Sequence, residues 1–243
     1  MNISAKTLSV IISFSVLYAF LRVLPSFPMV GISGGYFSAA DFITSLYGII
    51  LGPYLGVVSI IIGIFVSFIL GKAPIFVGLD FLPAAVNVFI VGLLIRKKYS
   101  YALLLYIGIL FVFILHPFTI FSIRISDQLQ VPYNWFHMIS VILLLSLVYF
   151  KKSIALTGNL NLSTFKFMFV VCFIGTSLQH IVGGILFATI STSVTKFIAV
   201  EALPAIWTTI FYLYPFERTF IAVISTILSI AIYKRTKILL DNN

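Results

Sequence analysis

The sequence predicts an all-α fold, a polytopic transmembrane helical bundle of about eight helices with both termini in the cytoplasm. Three observations predict it. Of 243 residues, 61% are hydrophobic and only 9% are charged, and the mean hydropathy is +1.20. A soluble domain carries roughly 25% charged residues, so this chain lacks the polar surface to face water on all sides. Its apolar residues form long unbroken runs instead of alternating, which selects helices over a membrane barrel. The Lys and Arg clusters fall between those runs, as cytoplasmic loops do. These features exclude a soluble cytosolic enzyme, a disordered chain and a nucleic-acid-binding module. The net charge of +9 is a loop bias, so no nucleic-acid partner is expected.

The spans follow in order, within one transmembrane domain covering residues 1–243. The first is residues 7–24, read as a retained helix because no small-x-small cleavage site follows Lys6 and its apolar run. The second and third share the block 39–70 and divide at Gly52 and Pro53, since proline cannot continue the hydrogen-bond ladder of the helix before it. The fourth is 81–95, the fifth 101–123, the sixth 135–150 and the seventh 167–190. The last is 215–233, starting at Pro215, with the apolar stretch 203–214 before it read as a lid. An internal N-terminus then puts Lys6, Arg96, Lys97, Lys98, Lys151, Lys152, Lys166, Lys234, Arg235 and Lys237 in the cytoplasm, and an odd number of spans between clusters would spoil that. Asp41, Asp80, Asp127, Glu201 and Glu217 come out on the opposite side, with only Asp241 inside.

Signals for chemistry are sparse. Gly71-Lys72 is followed by Ala73 and lacks the glycine spacing of a phosphate-binding loop. His116, His137 and His180 are too far apart for a helical metal pair, and there is no Gly-x-Ser-x-Gly elbow. Neither catalysis nor a metal nor a cofactor is expected. The single cysteine, Cys172, lies inside an apolar run and reads as packing.

Gly48, Gly52 and Gly56, then Gly63, Ser67 and Gly71, recur four apart, the spacing of close helix contacts in lipid. Ser15 and Ala19 repeat it in the first span, as an internal contact or as a docking face for another subunit. Ionisable groups near the membrane interior are costly and therefore point to function. Arg22 ends the first span and either snorkels to the interface or joins a site. Asp41 and Asp80 open the second and fourth spans, where capping alone favours an acid. Asn87 follows Asp80 by seven residues, on the same helical face and deeper. Gln179 and His180 precede Gly183 and Gly184, which leaves room beside a polar group. Glu217 and Arg218 follow Tyr214 at the outer end of the last span, as a local pair or as part of a site. Trp207, Phe211 and Tyr214 form an interfacial belt or a pocket wall.

The run Gly34-Gly35-Tyr36 through Asp41 to Leu51-Gly52-Pro53 and Gly56 resembles the hallmark of substrate-binding S components of energy-coupling factor (ECF) transporters. The fourth span, with Asn87 and Gly92 and ending at Arg96-Lys97, is similar to that family's fourth helix. The stretch from Gln179 and His180 to Phe187 resembles the fifth helix of thiamine-binding members, and Tyr214-Pro215-Phe216-Glu217-Arg218 resembles the last helix of riboflavin-binding ones. The resemblance implies an S-component-like core of six helices, 7–98 and 167–237, in the cytoplasmic membrane of a prokaryote. The helical hairpin 99–152 is extra. It implies capture of a small molecule, a vitamin or similar micronutrient, at the outer face. The contacts would come from Tyr36, Asp41, Asp80, Asn87, Gln179, His180, Trp207, Tyr214, Glu217 and Arg218. A coupling membrane subunit, docked at Ser15 and Ala19, and two cytoplasmic ATPases would drive uptake. Two rival readings stay open, a structural or accessory subunit of a larger membrane complex and a self-sufficient secondary carrier.

Overall fold

A computed structural model describes residues 5–32, 34–150 and 162–241. Lys151 and Lys152 of the expected cytoplasmic clusters lie outside the described residues. The elements are α1 (Ala5–Val23), β1 (Pro25–Pro28), β2 (Tyr36–Ser38), a 3-10 turn (Ala39–Phe42), α2 (Thr44–Ile50), α3 (Gly52–Ile69), α4 (Phe81–Ile95) and α5 (Tyr99–Leu115). Then come β3 (Ser122–Ser126), β4 (Leu129–Pro132), α6 (Trp135–Phe150), α7 (Leu162–Thr189), a π turn (Ile190–Val194), a 3-10 turn (Val200–Ala202) and α8 (Leu203–Asp241). Two small antiparallel hairpins, β1-β2 and β3-β4, are the only sheets among the described residues. Four helical segments, 5–23, 52–69, 162–194 and 200–232, are long and apolar enough to cross a membrane. The protein is therefore a helical membrane bundle, and α4, α5 and α6 are shorter apolar helices within it. Ile12, Val16, Phe20, Phe65, Phe111 and Phe220 point outward from it, an apolar shell suited to lipid.

The α2/α3 break falls where proline placed it. Gly52 adopts φ +81°, and the Arg96 guanidinium at the end of α4 occupies the space a Cβ would need. Pro53 then opens α3, where its missing N–H costs nothing. α2 with its preceding 3-10 turn rises only about 18 Å, against a hydrocarbon core of about 30 Å. It is buried along most of its length, and its N-terminal end stops at the floor of a cavity.

Close packing follows the small residues. A Cβ on Gly63 of α3 would stand 2.8 Å from the Ser15 carbonyl of α1, and the Ser15 and Ser59 hydroxyls are 3.1 Å apart. Ser15 and Ala19 are 1% and 0% exposed. The stripe on α1 is thus an internal contact with α3, not a surface open to another subunit. Gly48 and Gly56 pack on Val88, Gly92 on Pro53, and Gly175 on Asn87 and Val91, so α4 lies between α2, α3 and α7.

Three expected boundaries move. The fifth span ends at Leu115, not 123: His116 precedes Pro117, which drives it out of the helical region to ψ 131°, and the apolar residues beyond enter β3. The seventh helix starts at Leu162 and runs on through a π turn. α8 does not start at Pro215 but carries it internally. Helix-breaking proline is tolerated in membrane helices whose neighbours hold them, and here Trp207, Phe211 and Tyr214 before it and Ile221 and Ala222 after it are all buried. Residues 203–214 are consequently the first turns of a continuous helix, not a separate lid. The hairpin over residues 99–150 is no appendage either. Tyr106, Phe113, Phe136 and Leu144 share one apolar core with Ile174, Leu178, Trp207 and Tyr214.

Candidate functional site

A cavity opens where the end of α1, the β1-β2 hairpin, the 3-10 turn 39–42, the loop 71–80, the start of α4, the second half of α7 and the first half of α8 converge. Its volume is about 120 Å³, measured as the space open to the centres of water molecules, on the order of ten times what a single water needs. Three cations (Arg22, Lys72, Arg218) and three carboxylates (Asp41, Asp80, Glu217) line it, beside Phe37, Phe76, Phe187 and Trp207.

The floor is a relay of side chains. The Ser38 N–H donates to Asp41 Oδ2 at 2.9 Å, which fixes the 3-10 turn. Gln179 Nε2 donates to Asp41 Oδ1 at 2.6 Å, Asn87 Nδ2 to Gln179 Oε1 at 2.7 Å, and Ser45 Oγ to Asn87 Oδ1 at 3.0 Å. The relay ties α2, α4 and α7 together below the cavity. Buried amides need such partners, because an unmade hydrogen bond there costs more than a made one contributes.

One wall is the loop 71–80. Asp80 precedes α4, and its Oδ1 accepts the Ile75 N–H at 2.9 Å and Arg22 Nη2 at 3.2 Å, while Oδ2 accepts the Phe76 N–H at 3.0 Å. The carboxylate thereby closes the loop and clamps α1 to α4. In the same loop Lys72 Nζ lies 3.1 Å from the centroid of the Tyr36 ring and donates to the Tyr36 carbonyl at 3.2 Å. Burial lowers its pKa to about 8; Arg22 adds to the effect, and Asp41 and Asp80 oppose it. The β1-β2 hairpin folds over the cavity because Gly31, at φ +82°, allows the backbone to within 3.0 Å of Phe187 as measured from a Cβ position.

The opposite wall is α8 with α7. Arg218 is 1% exposed, its guanidinium carbon is 4.9 Å above the Phe37 ring, and its Nη2 stands 3.6 Å from Glu217 Oε2. Its Nε and Nη2 have no hydrogen-bond partner among the described residues. His180 lies parallel to Tyr214, with ring centroids 4.6 Å apart, and its Nε2 is 3.3 Å from the Tyr133 hydroxyl. Tyr214 in turn donates to the Tyr133 carbonyl at 2.9 Å, and Trp207 Nε1 donates to the Phe118 carbonyl at 2.8 Å. Tyr133 and Phe118 belong to the hairpin over residues 99–150, so that hairpin buttresses the cavity wall.

Of the residues singled out in the sequence, Tyr36, Asp41, Asp80, Gln179, His180, Trp207, Glu217 and Arg218 line the cavity. Asn87 and Tyr214 do not, a correction to their expected role as contacts. Asn87 is fully buried behind Gln179, and Tyr214 is buried behind His180. Asp41 and Asp80 both line the cavity. Asp41 accepts the Ser38 N–H as half of a capping box on the 3-10 turn, whereas Asp80 precedes α4 without a side-chain bond to that helix and accepts the Ile75 and Phe76 N–H groups of the loop before it, so the expected capping does not hold for Asp80. Arg22 is in the wall, paired with Asp80. Lys72 was missed, although a lone lysine ending an apolar run was a signal for it. Among the described residues no group of three or more His, Cys, Asp or Glu is arranged to hold a metal ion. Charges of both signs and aromatic side chains line the cavity together. No protein-family model, curated protein or solved structure matches the chain.

Proposed function

We propose that this protein captures a vitamin-sized molecule from the non-cytoplasmic side of the membrane and hands it on for uptake, in the manner of an ECF S component. The observation that carries the reading is the convergence of three cationic side chains and three carboxylates on one cavity. Charged groups inside a membrane protein are expensive and are retained where they meet a substrate or each other. The sidedness rests on the basic residues. α4 leaves the cavity at Asp80 and ends at Arg96, and α7 and α8 carry Lys166 and Lys234 at their far ends. Each cluster thus sits at the helix end away from the cavity, and the positive-inside bias makes that end cytoplasmic. Transport on this reading draws on a coupling membrane subunit and two ATPases, which dock on a surface other than Ser15 and Ala19.

Native mass spectrometry of the protein purified alone in mild detergent tests the proposal, with bound small molecules extracted and identified. A stoichiometric vitamin-sized adduct, lost in His180→Ala while the protein stays folded, is the expected result. A folded protein that is empty as purified and takes up nothing from a small-molecule extract overturns it.

A further inference from the structure

The distribution of hydrogen-bonding groups in the cavity names a ligand class, on the premise that the cavity is the capture site. The acceptors of Asp41, Asp80 and Gln179 are committed. Asp41 receives Gln179 on one oxygen and Ser38 on the other, and Asp80 receives Arg22 and the Ile75 N–H on one and the Phe76 N–H on the other. Gln179 Oε1 receives Asn87. The donors are not committed. Arg218 keeps Nε and Nη2 without partners while 1% exposed, and Arg22 Nε is buried without one. Lys72 has three N–H groups, and one of them meets the Tyr36 carbonyl. Glu217 faces Arg218 only at 3.6 Å, beyond a good charge-assisted bond of about 2.7–2.9 Å.

A buried guanidinium with open N–H groups is costly by itself, and what relieves it is a planar or tetrahedral oxyanion taken in a fork. We propose that the captured molecule carries a compact oxyanion, a carboxylate or phosphate, received by Arg218 and Lys72, with an apolar body lying among Phe37, Phe187 and Trp207. A cationic ligand group would find Asp41 and Asp80 already satisfied by protein donors and only Glu217 open, and the three cations of the wall would repel it.

The test uses four probes that share a phenyl body: benzoate, phenylphosphonate, benzylamine and benzyl alcohol. Each is titrated into the full-length protein in detergent, following Trp fluorescence and the thermal midpoint. Arg218→Met and Lys72→Met in the same micelles control for partitioning. Wild type is expected to bind one or both anions saturably, with at least about tenfold weaker binding in each variant, the loss of one charge-assisted bond. The tighter of the two anions separates the carboxylate from the phosphate source. Without ligand, Arg218→Met is expected to melt no lower than wild type, because it removes an unsatisfied buried charge. A markedly lower midpoint assigns the guanidinium to the fold and overturns the proposal. Saturable binding of the amine or alcohol as tight as the anions overturns the oxyanion class and leaves capture standing. Binding of none of the four also overturns the oxyanion class, while capture itself is judged by the adduct in native mass spectrometry.

Discussion

Asn87→Ala, alone and with Gln179→Ala, tests whether the floor of the cavity is one cooperative unit. The single change removes two hydrogen bonds, of 2.7 Å to Gln179 and 3.0 Å from Ser45, and leaves both partners in a buried place. In a soluble core each orphaned group costs about 1–3 kcal/mol. Between membrane helices, measured bonds average about 0.6 and reach about 1.7 kcal/mol, because the chain unfolded in lipid finds other partners. The membrane figure governs here, so Asn87→Ala should lower stability by roughly 1–3 kcal/mol. Gln179→Ala should cost a similar amount, since it too loses two bonds, one of them to Asp41. If the relay acts as a unit, the double variant costs about 0.6–1.7 kcal/mol less than the sum, the bond the two share. Unfolding in mixed micelles of rising SDS content, followed by Trp fluorescence, reads all four proteins. Independent sites add within about 0.3–0.5 kcal/mol. Additivity at that level would refute the relay and leave Asn87 and Gln179 as separate packing residues.

Lys72 gives a pH dependence. With its pKa lowered from 10.5 to about 8 by burial and by Arg22, against Asp41 and Asp80, the folded protein releases a proton that the unfolded chain still holds between about pH 8 and 10.5. Stability should therefore rise with pH through that window, while binding of a benzoate or phosphonate probe weakens as pH passes 8; Lys72→Met should flatten this titration, and an unchanged profile would remove Lys72 from the site. His116 gives a dependence of the same sign in a more acidic window. Its Nδ1 accepts the Phe118 N–H at 3.3 Å, while its Nε2 meets Thr189 Oγ1 at 2.9 Å, a hydroxyl that also donates to the Ile185 carbonyl. Burial lowers its pKa below the usual 6.5, so the 116–118 corner and the Trp207 bond it holds should loosen as pH falls below about 6.5; His116→Asn should shift that transition in a pH-jump measurement of Trp fluorescence. Gly63→Val should destabilise by about 1–3 kcal/mol through overpacking, since its Cβ would stand 2.8 Å from the Ser15 carbonyl; wild-type stability would show that α1 yields at no cost.

Features with local causes were legible in the chain. The Gly52-Pro53 break is one, because proline acts on its own helix. The stop at Leu115 was present as His116-Pro117 but hidden under the apolar run that continues to Ile123. Pro215 misled in the other direction, since a rule about isolated helices ignores neighbours that hold Trp207, Phe211 and Tyr214 in place. Ser15 and Ala19 were ambiguous for a physical reason: a small-residue stripe has the same spacing whether it meets α3 or a foreign helix.

The chain itself sets its solvent and its helical character, because composition and continuous apolar runs act residue by residue. It also marks the polar positions worth inspecting, because burying them in lipid is costly wherever they end up. Packing alone assigns their partners. Asp41 meets Gln179 across 138 residues and Asn87 meets Gln179 across 92, while Arg218 is left with open donors beside Phe37. A small rotation of α7 or α8 about its own axis would exchange those roles without changing a residue. Gly175 resists such a rotation of α7, because a Cβ there would collide with the Asn87 and Val91 side chains of α4.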